Sequence, residues 1–263
     1  MSDTLTYVGH ATVLLEQAGT RILTDPVLRP RIGHIRRIVP PPDPAHRRDL
    51  DAVLISHAHH DHLDVPSLRM LELRGPVVVP RGWARVIRRA GLRDVIELLP
   101  GERCEIGPLG VEALEAEHDG RRLPGGARNQ ALGYLIEGAD PVYFAGDTDL
   151  FAGMEALAGR VGTALLPVSG WGPRLPPGHL GPASAARAAA LIRPRTVVPI
   201  HWGTLQRMGT QRGDRHAAAR DFAAAVGSRA PGTEVRILEP GESMPLPDGG
   251  APHSNSSKRD VSA

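Results

Sequence analysis

Four histidines fall within six residues, His57-Ala58-His59-His60-Asp61-His62, in a chain of 263 residues with 12 histidines. Neutral imidazole presents one lone pair at a fixed angle and is the commonest metal ligand among side chains. His57 and His59 stand two apart, just past the apolar run Ala52 to Ser56 (AVLIS), so both rings can turn toward one ion. Asp61 and His62 can then serve a neighbouring ion. Packing four imidazoles and a carboxylate together without a cation would desolvate polar groups for no gain. The alternative is a solvated polar loop; a purification tag is excluded by the internal position and the interleaved Asp61. Two ions require more ligands than this segment holds. His118 follows VEALEAE, Asp147 follows VYFAG and His201 follows TVVPI, so each lies just beyond a buried β run. Taken singly, each reads as a capping or core residue. Together they suggest one cluster, because sites in layered α/β folds form outside strand ends where several loops meet.

The elements that must position these residues alternate between strand and helix. Thr12 to Glu16 and Arg21 to Thr24 read as a hairpin turning at Gly19. Strands are expected at 52–56, 77–79, 95–98, 111–116, 131–136, 142–145, 164–167, 196–200 and 234–238. Helices are expected at 65–73, 82–90, 182–192 and 215–226, the third opening with Pro182 in its first turn. This order predicts a layered α/β architecture. Between Pro26 and Leu50 lie six prolines and six arginines, which predicts a long surface loop. Residues 1–246 form the expected domain, and the polar, Gly/Ser-rich residues 247–263 a disordered tail.

Composition narrows the function classes. The formal net charge is only +2, unlike a dedicated nucleic-acid binder. Lys258 is the only lysine, so 30 of the 31 basic residues are arginine, a ratio that suggests codon bias in a GC-rich genome. Cys104 is the only cysteine, so neither an intramolecular disulfide nor a multi-cysteine metal site is possible. The first residues lack the basic and apolar regions of a secretory signal, and no apolar run approaches the ~20 residues that span a bilayer. A cytoplasmic location is expected, with no nucleic-acid partner and no transmembrane segment.

The segments Gly9-His10-Ala11-Thr12, Leu23-Thr24-Asp25-Pro26, Leu54 to Asp64 (LISHAHHDHLD), Glu117-His118, Phe144 to Thr148 (FAGDT) and Pro199 to Thr204 (PIHWGT) resemble the metallo-β-lactamase-fold hydrolases, whose signature is H-x-H-x-D-H. The branch most similar contains N-acyl-phosphatidylethanolamine phospholipase D and ascorbate-6-phosphate lactonases. The resemblance runs from about Tyr7 to Thr204 and implies a four-layer αβ/βα sandwich, two mixed β-sheets flanked by helices. It implies that His57, His59 and His118 bind one metal ion, that Asp61, His62 and His201 bind a second, and that Asp147 bridges both. Metallo-β-lactamases proper usually carry a cysteine at the second metal. Cys104 lies outside every motif, which argues against an antibiotic-hydrolysing enzyme.

Zinc is the expected metal for these N/O donors, with manganese and iron compatible. Two ions about 3.5–4 Å apart can share a hydroxide, because coordination lowers the pKa of water from ~16 to ~7. Asp61 and Asp147 are expected to steer the attacking group while ligating, and His179 to contact the substrate or leaving group. His10 and Asp25 are candidates for orienting ligands from behind. His60 stands where the relatives usually carry tyrosine, and Asp119 where they commonly carry tryptophan; both are expected to face the site mouth. Arginines from Arg29 to Arg48, with Arg121, Arg122 and Arg128, are expected to flank that mouth and to suit an anionic small molecule, since guanidinium forks match phosphate and carboxylate. The expected reaction is hydrolysis of a phosphodiester or a lactone or ester. A nuclease of the same fold and a non-catalytic metal-binding regulator are the alternatives.

Overall fold

The computed structural model describes residues 2–122, 130–210 and 213–247. In chain order the strands begin with β1 (Thr4–Gly9), β2 (Thr12–Gln17), β3 (Thr20–Thr24), β4 (Arg31–Ile32), β5 (Ile35–Arg37) and β6 (Ala52–Leu54). Then follow β7 (Val77–Pro80), β8 (Val95–Leu98), β9 (Arg103–Ile106), β10 (Leu109–Asp119), β11 (Gln130–Glu137) and β12 (Val142–Phe144). The last are β13 (Thr163–Pro167), β14 (Thr196–Ile200), β15 (Leu205–Arg207), β16 (Glu234–Val235) and β17 (Ser243–Pro245). The α-helices are α1 (Val65–Leu68), α2 (Ala84–Arg89), α3 (Pro182–Ile192) and α4 (Ala217–Arg229).

Two seven-stranded mixed sheets carry the fold, in the orders β17-β1-β2-β3-β6-β7-β8 and β16-β14-β13-β12-β11-β10-β9. Strand residues alternate between faces, and here both faces are covered. Val13 and Leu15 of β2 and Val78 of β7 join the large core that also holds Val111, Leu132 and Tyr134 of the second sheet. Leu14, Val77 and Val79 point the other way, into a second core with Leu68 and Ile87 of α1 and α2. The helix α3 packs on β13 and α4. The result is the αβ/βα sandwich of the metallo-β-lactamase fold.

Parallel pairing decides where the site lies. Strands β3 and β6 are parallel, as are β12, β13 and β14, with Phe144 beside Leu165 and Leu165 beside Val198. The residues that leave the ends of these strands therefore emerge along one rim of each sheet. Asp25 follows β3, Ser56 and His57 follow β6, Asp147 follows β12, Ser169 follows β13 and His201 follows β14. The two rims are stitched where Leu132 donates its backbone N–H to Ser56 O at 2.9 Å.

Several expectations are corrected. The proline- and arginine-rich stretch from Pro26 to Leu50 is not a plain loop: β4 and β5 pair with β15 in a three-stranded sheet. The helix expected over 65–73 stops at Leu68. The chain beyond it is recruited into pairing instead, with Glu72 N–H bonded to Arg47 O and Leu50 bridged to Leu73. Strands β1, β9 and β17 lie at positions where none was expected, and the last expected strand, 234–238, is only two residues long. Arg128 and residues 248–263 of the expected tail lie outside the described residues. No described helix is long and apolar enough to cross a membrane.

Candidate metal centre

The histidine-rich segment is a tight turn. His62 N–H and Leu63 N–H both reach His59 O, at 3.0 and 2.8 Å. The Arg122 guanidinium clamps its two ends by donating through Nη1 to Ala58 O and Leu63 O, each at 3.0 Å. His118 is brought in by an irregularity of β10, whose register with β11 shifts between Glu115 and Asp119. Gly146 brings Asp147 close to the segment: it has φ +61°, and a Cβ there would lie 2.5 Å from Ser56 Cβ. Positive φ also marks His10 (60°), Asp25 (32°) and His201 (62°), non-glycine residues around the same centre.

All seven expected ligands converge, in two groups. His57, His59 and His118 form one. His59 Nδ1 lies 2.9 Å from His57 Nε2 and 3.2 Å from His118 Nε2. Asp61, His62 and His201 form the other, with His10 beside them. His62 Nε2 and His201 Nε2 are 3.3 Å apart, and Asp61 Oδ2 lies 3.7 and 3.8 Å from them. Asp147 touches both groups: Oδ2 is 3.1 Å from His62 Nε2 and 3.9 Å from His57 Nε2, and Oδ1 is 3.3 Å from His201 Nε2.

The far sides of the rings show what the near sides must be. His118 Nδ1 donates to Gly178 O and His201 Nδ1 to Ser169 O, each at 2.7 Å. His62 Nδ1 donates to Asp25 Oδ2 at 2.6 Å. Ser56 Oγ donates to Asp25 Oδ2, so it accepts from His57 Nδ1 at 3.0 Å. With these protons turned outward, the Nε2 atoms point inward: those of neutral His57 and His118 present lone pairs, and that of His62 does so once its extra proton is shed. Asp147 Oδ1 is likewise buried with no hydrogen-bond partner among the described residues. With His62 deprotonated, such a donor set lacks positive charge. Two nitrogens on one tetrahedral zinc ion, each about 2.0–2.1 Å away, stand about 3.3 Å apart, close to the separations found here. The residues therefore fit divalent cations in both groups.

The electrostatics agree. Burial and neighbouring histidines push His57 down, and burial drives His118 to about 4, so these rings are neutral and able to coordinate. Burial also brings His10 to about 3; its neutral ring bonds through Nε2 to Asp61 Oδ2 at 3.0 Å. Burial opposes ionisation of Asp61 and Asp147, but the surrounding histidines hold both carboxyls well below the usual range. His62 is the exception. Burial pushes it down, yet the carboxylates of Asp147, Asp61 and Asp25 hold it well above 6.5.

The centre opens into a cavity of about 780 Å³. His179 lines it, with Nε2 3.3 Å from Asp147 Oδ2. His60 also lines it, as expected, whereas Asp119 is turned into a separate cleft behind His118 and bonds Arg121. The arginine expectation holds only in part. Arg29 lines the cavity but is held bidentately by Asp64, at 2.8 and 2.6 Å. Arg122 lines it too, but serves the turn described above. Arg174 and Arg207, on neither expected segment, are exposed at the wall. Ser56, Ser169 and Trp171 were not foreseeable from motif spacing. Two of the three act through a backbone carbonyl or a single hydroxyl, which leaves no pattern in a sequence.

Residues 20–202 match the family described as the beta-lactamase superfamily domain. A metal-dependent hydrolase of Opitutus terrae is 33% identical over 253 residues, covering 91% of this chain and 98% of its own. N-acyl-phosphatidylethanolamine-hydrolyzing phospholipase D 1 of Caenorhabditis elegans is 31% identical over 231 residues, 78% of this chain and 65% of that one. An uncharacterized protein of Mycobacterium tuberculosis is 32% identical over 77% of this chain, which spans 59% of that protein's length. Among solved structures, a metallo hydrolase from the archaeon Ignicoccus hospitalis superposes with a TM-score of 0.69 at 26% identity, covering 93% of this chain and 98% of its own. With the strand-end cluster and the sandwich already in place, the match assigns this chain to the beta-lactamase superfamily, with the metallo-β-lactamase fold.

Proposed function

We propose that the protein is a dinuclear metal hydrolase, zinc being the metal that suits its donors, and that it cleaves a small anionic phosphodiester or a lactone or ester. The observation that carries this reading is Asp147, whose carboxylate reaches His57 in one group and His62 and His201 in the other while its buried Oδ1, 3.3 Å from His201 Nε2, has no hydrogen-bond partner among the described residues. Contact with both groups supports a bridging role for Asp147. The hydrolase names of the Opitutus and Caenorhabditis relatives point the same way.

Bound ions supply Lewis acidity and a water acidic enough to attack near neutral pH. The chain's own residues do the rest. His57, His59 and His118 hold one ion, Asp61, His62 and His201 the other. Asp61 and Asp147 fix the direction of attack. His179 Nε2 lies 3.3 Å from Asp147 Oδ2 at the cavity wall, where it can hydrogen-bond or protonate the departing oxygen. Ile32, Ile35 and Trp171 line the cavity with apolar surface and limit water. Arg174 and Arg207, for which the described residues show no paired acid, draw a negatively charged substrate to the wall. A cavity of about 780 Å³ suits a small molecule better than a duplex.

The test is metal analysis of purified protein beside turnover of a bis-aryl phosphate, an aryl ester, a lactone and nitrocefin, with and without chelator. Two equivalents of metal and chelator-sensitive phosphodiester or lactone turnover are expected, with negligible nitrocefin hydrolysis. A metal-free, inactive protein, or rapid nitrocefin turnover alone, refutes the reading.

A further inference from the structure

Trp171 lies between Gly170 and Gly172 in the segment that follows β13, a stretch with little side-chain packing of its own. Three contacts nevertheless fix it. Its backbone oxygen accepts from Arg207 N at 2.9 Å, which ties the segment to β15. Its ring packs on the small cluster of Val27, Ile32, Ile35 and Leu205 and meets His34 edge-on at 5.5 Å, so it rests on the three-stranded sheet. Its indole Nε1 donates to Asp61 Oδ2 at 2.9 Å.

The third contact goes beyond packing. An indole serving only as an apolar wall can leave its N–H in water. This one is aimed at a buried carboxylate oxygen that already accepts from His10 at 3.0 Å. Two N–H donors from distant parts of the chain thus meet on the one oxygen, Oδ2, and fix where it lies. The same oxygen lies 3.7 Å from His62 Nε2 and 3.8 Å from His201 Nε2, so the two donors set its distance from that group of candidate ligands. We infer that Trp171 is a positioning residue for Asp61, and that through it the three-stranded sheet sets the geometry of the metal position built from Asp61, His62 and His201. The inference rests on the dinuclear reading above. It assigns a task to the three-stranded sheet, which among the described residues contributes no candidate ligand: its strands support the ring, and the ring orients the carboxylate.

The decisive experiment measures metal affinity on metal-free protein by competition with a chromophoric chelator, for wild type and Trp171→Phe. Phenylalanine keeps a ring on the cluster and removes the N–H. Partners that orient a ligand typically contribute 10–100-fold in metal affinity. Trp171→Phe is expected to weaken one metal equivalent by at least about 10-fold while leaving the other unchanged, and to lower kcat with little change in KM. Should phenylalanine disturb the fold, replacement of Trp171 by its sulfur analogue 3-benzothienyl-alanine removes only the N–H and should give the same split. Equal loss of both equivalents, or unchanged affinity in the folded variants, overturns the assignment. If wild type itself binds no metal, the dinuclear reading fails rather than the role of Trp171.

Discussion

Asp25 holds His62 by accepting its Nδ1 proton at 2.6 Å, and it holds His57 through one intervening hydroxyl. Its Oδ1 accepts the Ser56 N–H at 2.7 Å. Its Oδ2 also takes the Ser56 Oγ proton, which turns that oxygen's lone pair to His57 Nδ1. One buried carboxylate therefore fixes the tautomer of a ring in each group of candidate ligands. Asp25→Asn preserves shape but substitutes a neutral amide that cannot accept three donors. It is expected to weaken both metal equivalents by about 10–100-fold, unlike the one-sided effect expected at Trp171. Chelator competition reads this directly. Undiminished affinity would show that the rings need no such anchor.

Metal uptake should release protons and strengthen as pH rises. His62 carries a raised pKa because Asp147, Asp61 and Asp25 outweigh the effect of burial. In the metal-free protein its extra proton stands in for the missing cation, and a ligand must shed such a proton to bind. Calorimetry at pH 7 in buffers of different ionisation enthalpy should give heats that vary with the buffer. His10 and His118 behave oppositely. Burial depresses them to about 3 and about 4, so below 6.5 the unfolded chain binds more protons than the folded one. Their contribution makes the metal-free protein lose stability as pH falls from about 6.5 toward 4. Buffer-independent heats, or an apparent affinity flat from pH 6 to 8, would contradict the proton assignment.

Substrate charge should be felt at Arg174 and Arg207. Both are exposed at the cavity wall, and Arg29 is already neutralised by Asp64. Arg174→Ala and Arg207→Ala are expected to raise KM for an anionic substrate several-fold and to leave kcat near wild type, because they attract rather than react. The effect should shrink with added salt, as interactions between exposed charges do. A neutral aryl ester should show neither change. Equal losses on neutral and anionic substrates would mean that the arginines shape the cavity rather than attract charge.

Much of the centre was legible because its residues carry both unusual chemistry and a repeated context. The run from His57 to His62 has few other uses, and His118, Asp147 and His201 each follow an apolar run. Parallel pairing then turns that one-dimensional context into a shared rim. The three-stranded sheet was not legible. Its strands β4 and β5 are two and three residues long with a single buried apolar residue each, too short for any alternation to register. Trp171 was missed for a related reason: its partner, Asp61, is 110 positions away, and one tryptophan in a Gly/Pro-rich stretch has no periodicity to read. The end of α1 at Leu68 was hidden because the competing pairing of Leu50 with Leu73 is tertiary.

Gly146 offers a test of how closely backbone geometry and the proposed bridge are linked. It immediately precedes Asp147 and adopts φ +61°. A left-handed conformation costs an L-residue roughly 1–2 kcal/mol. Space adds a second penalty here, since a Cβ would meet Ser56 Cβ at 2.5 Å and Leu132 O at 3.2 Å. Ser56 is the hydroxyl that holds His57, and Leu132 is where the two sheets are stitched, so neither can retreat freely. Gly159 serves as the control, because it too has positive φ, +78°, but among the described residues nothing lies within 4 Å of its would-be Cβ. Gly159→Ala should lose about 1–2 kcal/mol by the conformational cost alone and keep its metal. Gly146→Ala should lose more stability in denaturant unfolding, and should also lose bound metal, because Asp147 is displaced from between the two groups. Equal stability losses with full metal content in both variants would show that the contact between residues 56 and 146 is not what places Asp147.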